Sequence, residues 1–144
     1  MRRQFITSII SLTCLVVIVA TKVNAQTFQR FEVNIPFEFM LRGRTLPPGK
    51  YVVERADPTR RNAVALRNKD EGSFSTILVQ RVERENPSEE ASLVFLRREG
   101  KFYLFQVWPS GDSNGNQVPS IAEIVRRDRH VKDSSLVRLS AKRP

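Results

Sequence analysis

The sequence predicts an all-β protein, an antiparallel sandwich or partly open barrel with one short C-terminal helix. Three observations lead there. From Phe31 to Leu41 every odd position is apolar, namely Phe31, Val33, Ile35, Phe37, Phe39 and Leu41, while Glu32, Asn34, Pro36, Glu38 and Met40 alternate with them. That period of two buries one face of a strand, whereas a helix would scatter the same side chains around its circumference. Short β-type runs then recur between Gly-, Pro-, Asn- and Asp-containing turns as far as Trp108, the spacing of a sandwich or small barrel. Beyond Pro119, Ile121, Ile124 and Val125 fall at helical spacing.

The chain opens with Arg2 and Arg3, an apolar run from Phe5 to Ala20, and Val23-Asn24-Ala25 as a small-residue cleavage site. Residues 1–25 therefore read as a signal peptide and 26–144 as a single exported β-rich domain, periplasmic or extracellular, with no transmembrane segment after cleavage. The adjacent arginines also suit the twin-arginine route, while the strongly apolar stretch from Leu15 to Val19 suits the general secretory one. Cys14, the single cysteine, lies inside the apolar run without the small residue that precedes a lipidated cysteine. Residues 26–144 thus hold no cysteine, which removes disulfides, thiolate catalysis and cysteine-ligated zinc from that part of the chain.

In the strand from Phe31 to Leu41, Pro36 lacks an amide donor, so an edge strand or a bend at Pro36 is expected. Pro48-Gly49 has the residues of a type II turn and is expected to reverse the chain. Tyr51 and Val53 would then share a face of the return strand. Asp57 to Asn62 reads as a turn, Ala63 to Arg67 as a strand, Asn68 to Ser73 as a turn and Phe74 to Val82 as one strand. Glu83 to Ala91 reads as a solvated acidic loop. Arg98-Glu99-Gly100-Lys101 joins two β-type runs as a hairpin, with Phe102, Leu104, Gln106 and Trp108 expected on one face of its second strand and Tyr103, Phe105 and Val107 on the other. Residues 109–119 read as a long surface loop. Ser120 and Glu123 have the spacing of a capping box for a helix from about Ile121 to Val131. Leu136, Val137 and Leu139 leave a last strand and a frayed extension both open.

Asn34-Ile35-Pro36-Phe37-Glu38-Phe39, followed by Leu46-Pro47-Pro48-Gly49-Lys50-Tyr51, resembles the opening of a family of small exported bacterial proteins with a V-P-F-x-F strand and an L-P-x-G-x-Y turn. The resemblance implies a β-rich exported domain with a charged C-terminal segment. It carries over no catalytic or binding residue.

Charge localises more sharply than any motif. The chain carries a net +9, and its C-terminal part sets Arg126, Arg127, Arg129, Lys132, Arg138, Lys142 and Arg143 against Asp128 and Asp133. Such a segment would attract an anionic envelope surface or an acidic polysaccharide. It has no aromatics interleaved with its bases, so specific nucleic-acid binding is not expected. Residues 132–144 are expected to be dispensable for folding. His130, the one histidine, has neither the companions of a metal site nor the nucleophile elbow of a triad, and no catalytic residue, metal or cofactor is assigned. Tyr51, Tyr103 and Trp108 are candidates for a sugar-stacking platform. The leading reading is a non-enzymatic binding or assembly module. The alternatives are a carbohydrate-binding module and a carboxylate-dependent enzyme acting on an extracellular polymer.

Overall fold

The computed structural model describes residues 28–128 and 134–141. Residues 1–27, which include Cys14 and the expected signal peptide, and Arg129, His130, Lys132, Lys142 and Arg143, lie outside the described residues. The strands are β1 (Phe31–Ile35), β2 (Phe39–Leu41), β3 (Arg44–Leu46), β4 (Gly49–Asp57), β5 (Arg60–Asn68), β6 (Phe74–Leu78), β7 (Gln80–Glu83), β8 (Ser92–Arg98), β9 (Lys101–Trp108), β10 (Asn114–Gln117) and β11 (Ser134–Ser140), with helix α1 (Pro119–Arg127) between the last two. Sheet A is antiparallel with order β1-β4-β5-β6, and sheet B runs β11-β8-β9-β10-β7, with the β2–β3 hairpin joined to β9. The sheets form a sandwich and do not close into a barrel.

The alternation from Phe31 to Leu41 serves both sheets. Pro36 interrupts the ladder, leaving β1 at the edge of sheet A and passing the chain to β2 in sheet B. Val33, Ile35, Phe39 and Leu41 all still enter one core. Phe39 sits edge-on to Tyr51 and Phe95 with ring centroids 5.3 and 5.4 Å away, so its ring touches side chains from both sheets. Edge-to-face rings at this separation add to simple area burial. Val64 and Leu66 from sheet A, and Leu93, Leu104 and Val107 from sheet B, complete the centre.

Several local expectations give way to tertiary pairing. The chain reverses at Arg42-Gly43, where φ is 51° and 75°, and not at Pro48-Gly49. Gly49, with φ of 154°, opens β4. A Cβ there would stand 2.8 Å from Asp70 Oδ2, the same oxygen that accepts the Lys50 amide at 3.1 Å. Phe74 to Val82 is two strands: β6 belongs to sheet A and β7 to sheet B, with buried Val79 at the crossover. The 109–119 segment is not wholly loop. The Asn114 amide donates to Asp112 Oδ1 at 2.8 Å, and Asn114–Gln117 then pairs with β7 while its last two residues also pair with β9.

The 98–101 hairpin forms as expected, with Glu99 and Gly100 at φ of 50° and 74°, the backbone of a type I′ turn. Its second strand carries a bulge: Val94 pairs with Gln106 and Phe95 with Leu104, leaving Phe105 unmatched. A bulge shifts the side-chain parity by one residue. Val107 therefore joins Leu104 in the central core, and Trp108 joins Phe105 on the outer side of sheet B, which corrects the face assignment made from alternation alone.

Helix α1 covers that outer side, with Ile121, Ala122 and Val125 against Val94, Phe105 and Trp108. Ala122 holds a place in this contact that the spacing assigned to Ile124. The Ser120–Glu123 capping box does not form. Val118 is the N-cap, without a side-chain cap bond, and Pro119 follows in the first turn, where its missing donor costs nothing. Buried Val118 donates its amide to the Phe105 carbonyl at 2.8 Å, which pins the helix start to β9 two residues earlier than expected. The described helix ends at Arg127, and Asp128 pairs with Arg98 at 3.2 Å.

β11 settles the open question at the C-terminus. It pairs along its whole length with β8, from Ser134 opposite Arg98 to Ser140 opposite Ser92, and Leu139 reaches the central core. The segment is part of sheet B and not a separable tail.

Candidate anion-binding face

Of the seven basic residues singled out by charge, three are described, and they lie on the outer side of sheet B. Arg126 and Arg127 are exposed in the last turn of α1, where cations complement the helix C-terminus. Both pair with Glu123, one turn back. Arg138 is exposed on β11 opposite Val94, whose side chain lies in the outer cluster. Its Nη1 donates to Ser92 Oγ at 3.4 Å.

A fourth arginine joins them that the sequence reading placed in a solvated loop. Arg84 follows β7, its amide donating to the Ser113 carbonyl at 3.0 Å. Its side chain lies across sheet B, with the guanidinium carbon 4.4 Å from the centroid of the Trp108 ring, a cation–π distance. Gly115 of β10 makes room for this. A Cβ at that position would lie 2.5 Å from Trp108 Cε3, so only glycine lets the indole settle against the β10 backbone. Trp108 Nε1 donates to Gln106 Oε1 at 3.0 Å. Arg84 Nε and Nη2 are enclosed without a hydrogen-bond partner. Burial, and then the charge of Arg138, push the Arg84 pKa below its ordinary value. No local pattern marks Arg84. The only sequence signal was a basic residue two positions after Val82, on the same strand parity.

The three aromatic candidates do not share one surface. Tyr51 is 1% exposed and Trp108 4%, so neither presents an open ring face. Tyr51 lies inside the sandwich, donating to the Pro47 carbonyl at 2.7 Å and accepting from Asn68 Nδ2 at 3.2 Å. Burial is the main cause that raises its pKa; the Asn68 hydrogen bond opposes it, while Glu71 and Asp70 add to it. Tyr103 is half-buried on β9, opposite Leu96.

A groove of about 720 Å³ runs beside edge strand β1, lined in part by Phe31, Glu32, Lys69, Glu89, Glu90 and Ala141. Lys69 Nζ holds both oxygens of Glu32, at 2.9 and 3.2 Å. Among the described residues no group of three His, Cys, Asp or Glu side chains is placed to hold a metal ion, and no helix is long and apolar enough to cross a membrane.

No family model, curated protein or solved structure matches this chain.

Proposed function

We propose that this chain is an exported, non-enzymatic binding module that holds an anionic envelope surface against the outer side of sheet B. The observation that carries the reading is the gathering of Arg84, Arg126, Arg127 and Arg138 on one side of one sheet. Cations spread over a layer built on a rigid sheet suit a surface with many charges better than one small substrate. Export is supported by the charged and apolar pattern of residues 1–25 and by the resemblance of the 34–51 motif to exported β-rich proteins.

The test is co-sedimentation with phosphatidylglycerol-containing vesicles against phosphatidylcholine vesicles. Because β11 belongs to sheet B, point substitutions must replace truncation. Retention on the anionic vesicles should fall when Arg126, Arg127 and Arg138 are changed together to Gln. It should also fall between 0.1 M and 1 M salt, as the Debye length shrinks from about 10 Å to about 3 Å. Equal retention on both vesicle types, or retention untouched by the triple variant, would sink the proposal.

A further inference from the structure

We infer that Arg84 and Arg138 form a pocket for a single oxyanion, a phosphate or carboxylate group, on the outer face of sheet B above Trp108. The inference rests on reading this side of the sheet as anion-binding, and it deepens that reading to a defined subsite.

The order of sheet B is what makes the pocket. β7 and β11 are its opposite edges. Arg84 comes from just beyond β7 and reaches across β10, where Gly115 has no side chain to block it, to lie over Trp108 on β9. Arg138 comes from β11 and reaches inward to Ser92 on β8. Ser92 is the cross-strand partner of Trp108. The two guanidinium groups thus converge from opposite edges onto neighbouring positions of one cross-strand pair, close enough for the Arg138 charge to act on Arg84.

Among the described residues the charge of this pair is uncompensated. Arg138 contacts a neutral hydroxyl, and Arg84 contacts an indole face. Among the described residues no carboxylate pairs with either one. Two like charges brought together beside an apolar cluster repel each other and lose hydration, so the arrangement is costly when empty. A bound anion between them would offset the repulsion. Arg84 Nε and Nη2 are closed in by the protein, so Nη1 is the nitrogen through which Arg84 would meet an anion. Arg138 is exposed and free to turn its planar fork towards the same point. Arginine forks suit planar or tetrahedral oxyanions, and their charge-assisted bonds are stronger than neutral ones. Trp108 is a rigid floor that holds Arg84 in place, since the indole is itself fixed by Gly115 and Gln106.

Trp108 is also the chain's only tryptophan, so its fluorescence reports on the pocket directly. The experiment titrates residues 26–144 with sodium phosphate and, separately, sodium acetate, each at ionic strength held constant with sodium chloride. Wild-type protein should give a saturable fluorescence change with at least one of the two anions and none with chloride. The anion that acts names the ligand group. Arg138→Gln, an exposed change that leaves the fold in place by circular dichroism, should weaken the apparent affinity at least tenfold, and Arg84→Gln should abolish the response. Arg84→Lys, which keeps the charge but loses the planar guanidinium lying over the indole, should fall between wild type and Arg84→Gln. A response that chloride reproduces, no response to either anion, or a midpoint unmoved in Arg138→Gln overturns the pocket. Vesicle retention separates the two readings. Retention without an anion response rejects the pocket and leaves the binding face standing, whereas an anion response without retention does the reverse.

Discussion

Replacing Gly115 by Ala tests the packing of Trp108 more sharply than any deletion, because it adds one methyl group where none fits. The new Cβ would lie 2.5, 2.7 and 2.7 Å from Trp108 Cε3, Cδ2 and Cζ3. Non-bonded carbons rest at about 3.5–4.0 Å, so the indole must retreat by roughly 1 Å. It has little room to do so, being 4% exposed, with Arg84 over the ring and the α1 aliphatics packed on the same cluster. Overpacking of this kind costs about 1–3 kcal/mol. At an open strand position with ordinary φ the same change would instead stabilise by about 0.5–1 kcal/mol, since Ala loses less backbone freedom than Gly. The two cases therefore differ in sign. Urea unfolding followed by circular dichroism should show a lower midpoint with unchanged slope, and the Tm should drop on the order of 5–10 °C. The contacting atoms belong to the six-membered part of the indole, so a Trp108→Phe background should absorb most of the cost, giving a coupling of about 1 kcal/mol or more in the double-mutant cycle. A neutral or stabilising Gly115→Ala, or strict additivity with Trp108→Phe, would refute the account of how the indole and hence Arg84 are positioned.

Two further predictions follow from buried and strained groups. The Tyr51 pKa is raised in the fold, so its stabilising contribution is complete below the ordinary value of about 10 and is lost as pH rises through the higher folded value. Urea midpoints measured from pH 8 to pH 11 should decline on the alkaline side, and Tyr51→Phe should flatten that decline while costing about 1–2 kcal/mol at neutral pH through the Asn68 and Pro47 groups left unpaired. Glu99, at φ of 50° in the first central position of the 98–101 turn, should gain about 0.5–1 kcal/mol on change to Asn, which tolerates the left-handed region better. An unchanged Tm would count against strain there.

What was legible in the chain by itself was whatever a residue's immediate neighbours determine. Period-two alternation from Phe31 to Leu41 set the class of structure and named Val33, Ile35, Phe39 and Leu41 as core, because side chains alternate locally along a regular extended backbone. The Glu99-Gly100 turn and the existence of a helix after Val118 were likewise readable from local sequence. The tertiary structure decided which sheet each piece joined. Nothing local at Val79 says that β6 and β7 belong to different sheets, since sheet membership is a matter of distant partners. The bulge at Phe105 exists only relative to β8, and by shifting the parity of one strand it moved Trp108 off the face it was expected to share with Leu104 and onto the outer side with Phe105. That displacement puts the indole under the Arg84 guanidinium, on the face of sheet B that also carries Arg138. Local chemistry could mark the C-terminal cations, but only the strand order could gather them with an arginine from an acidic loop.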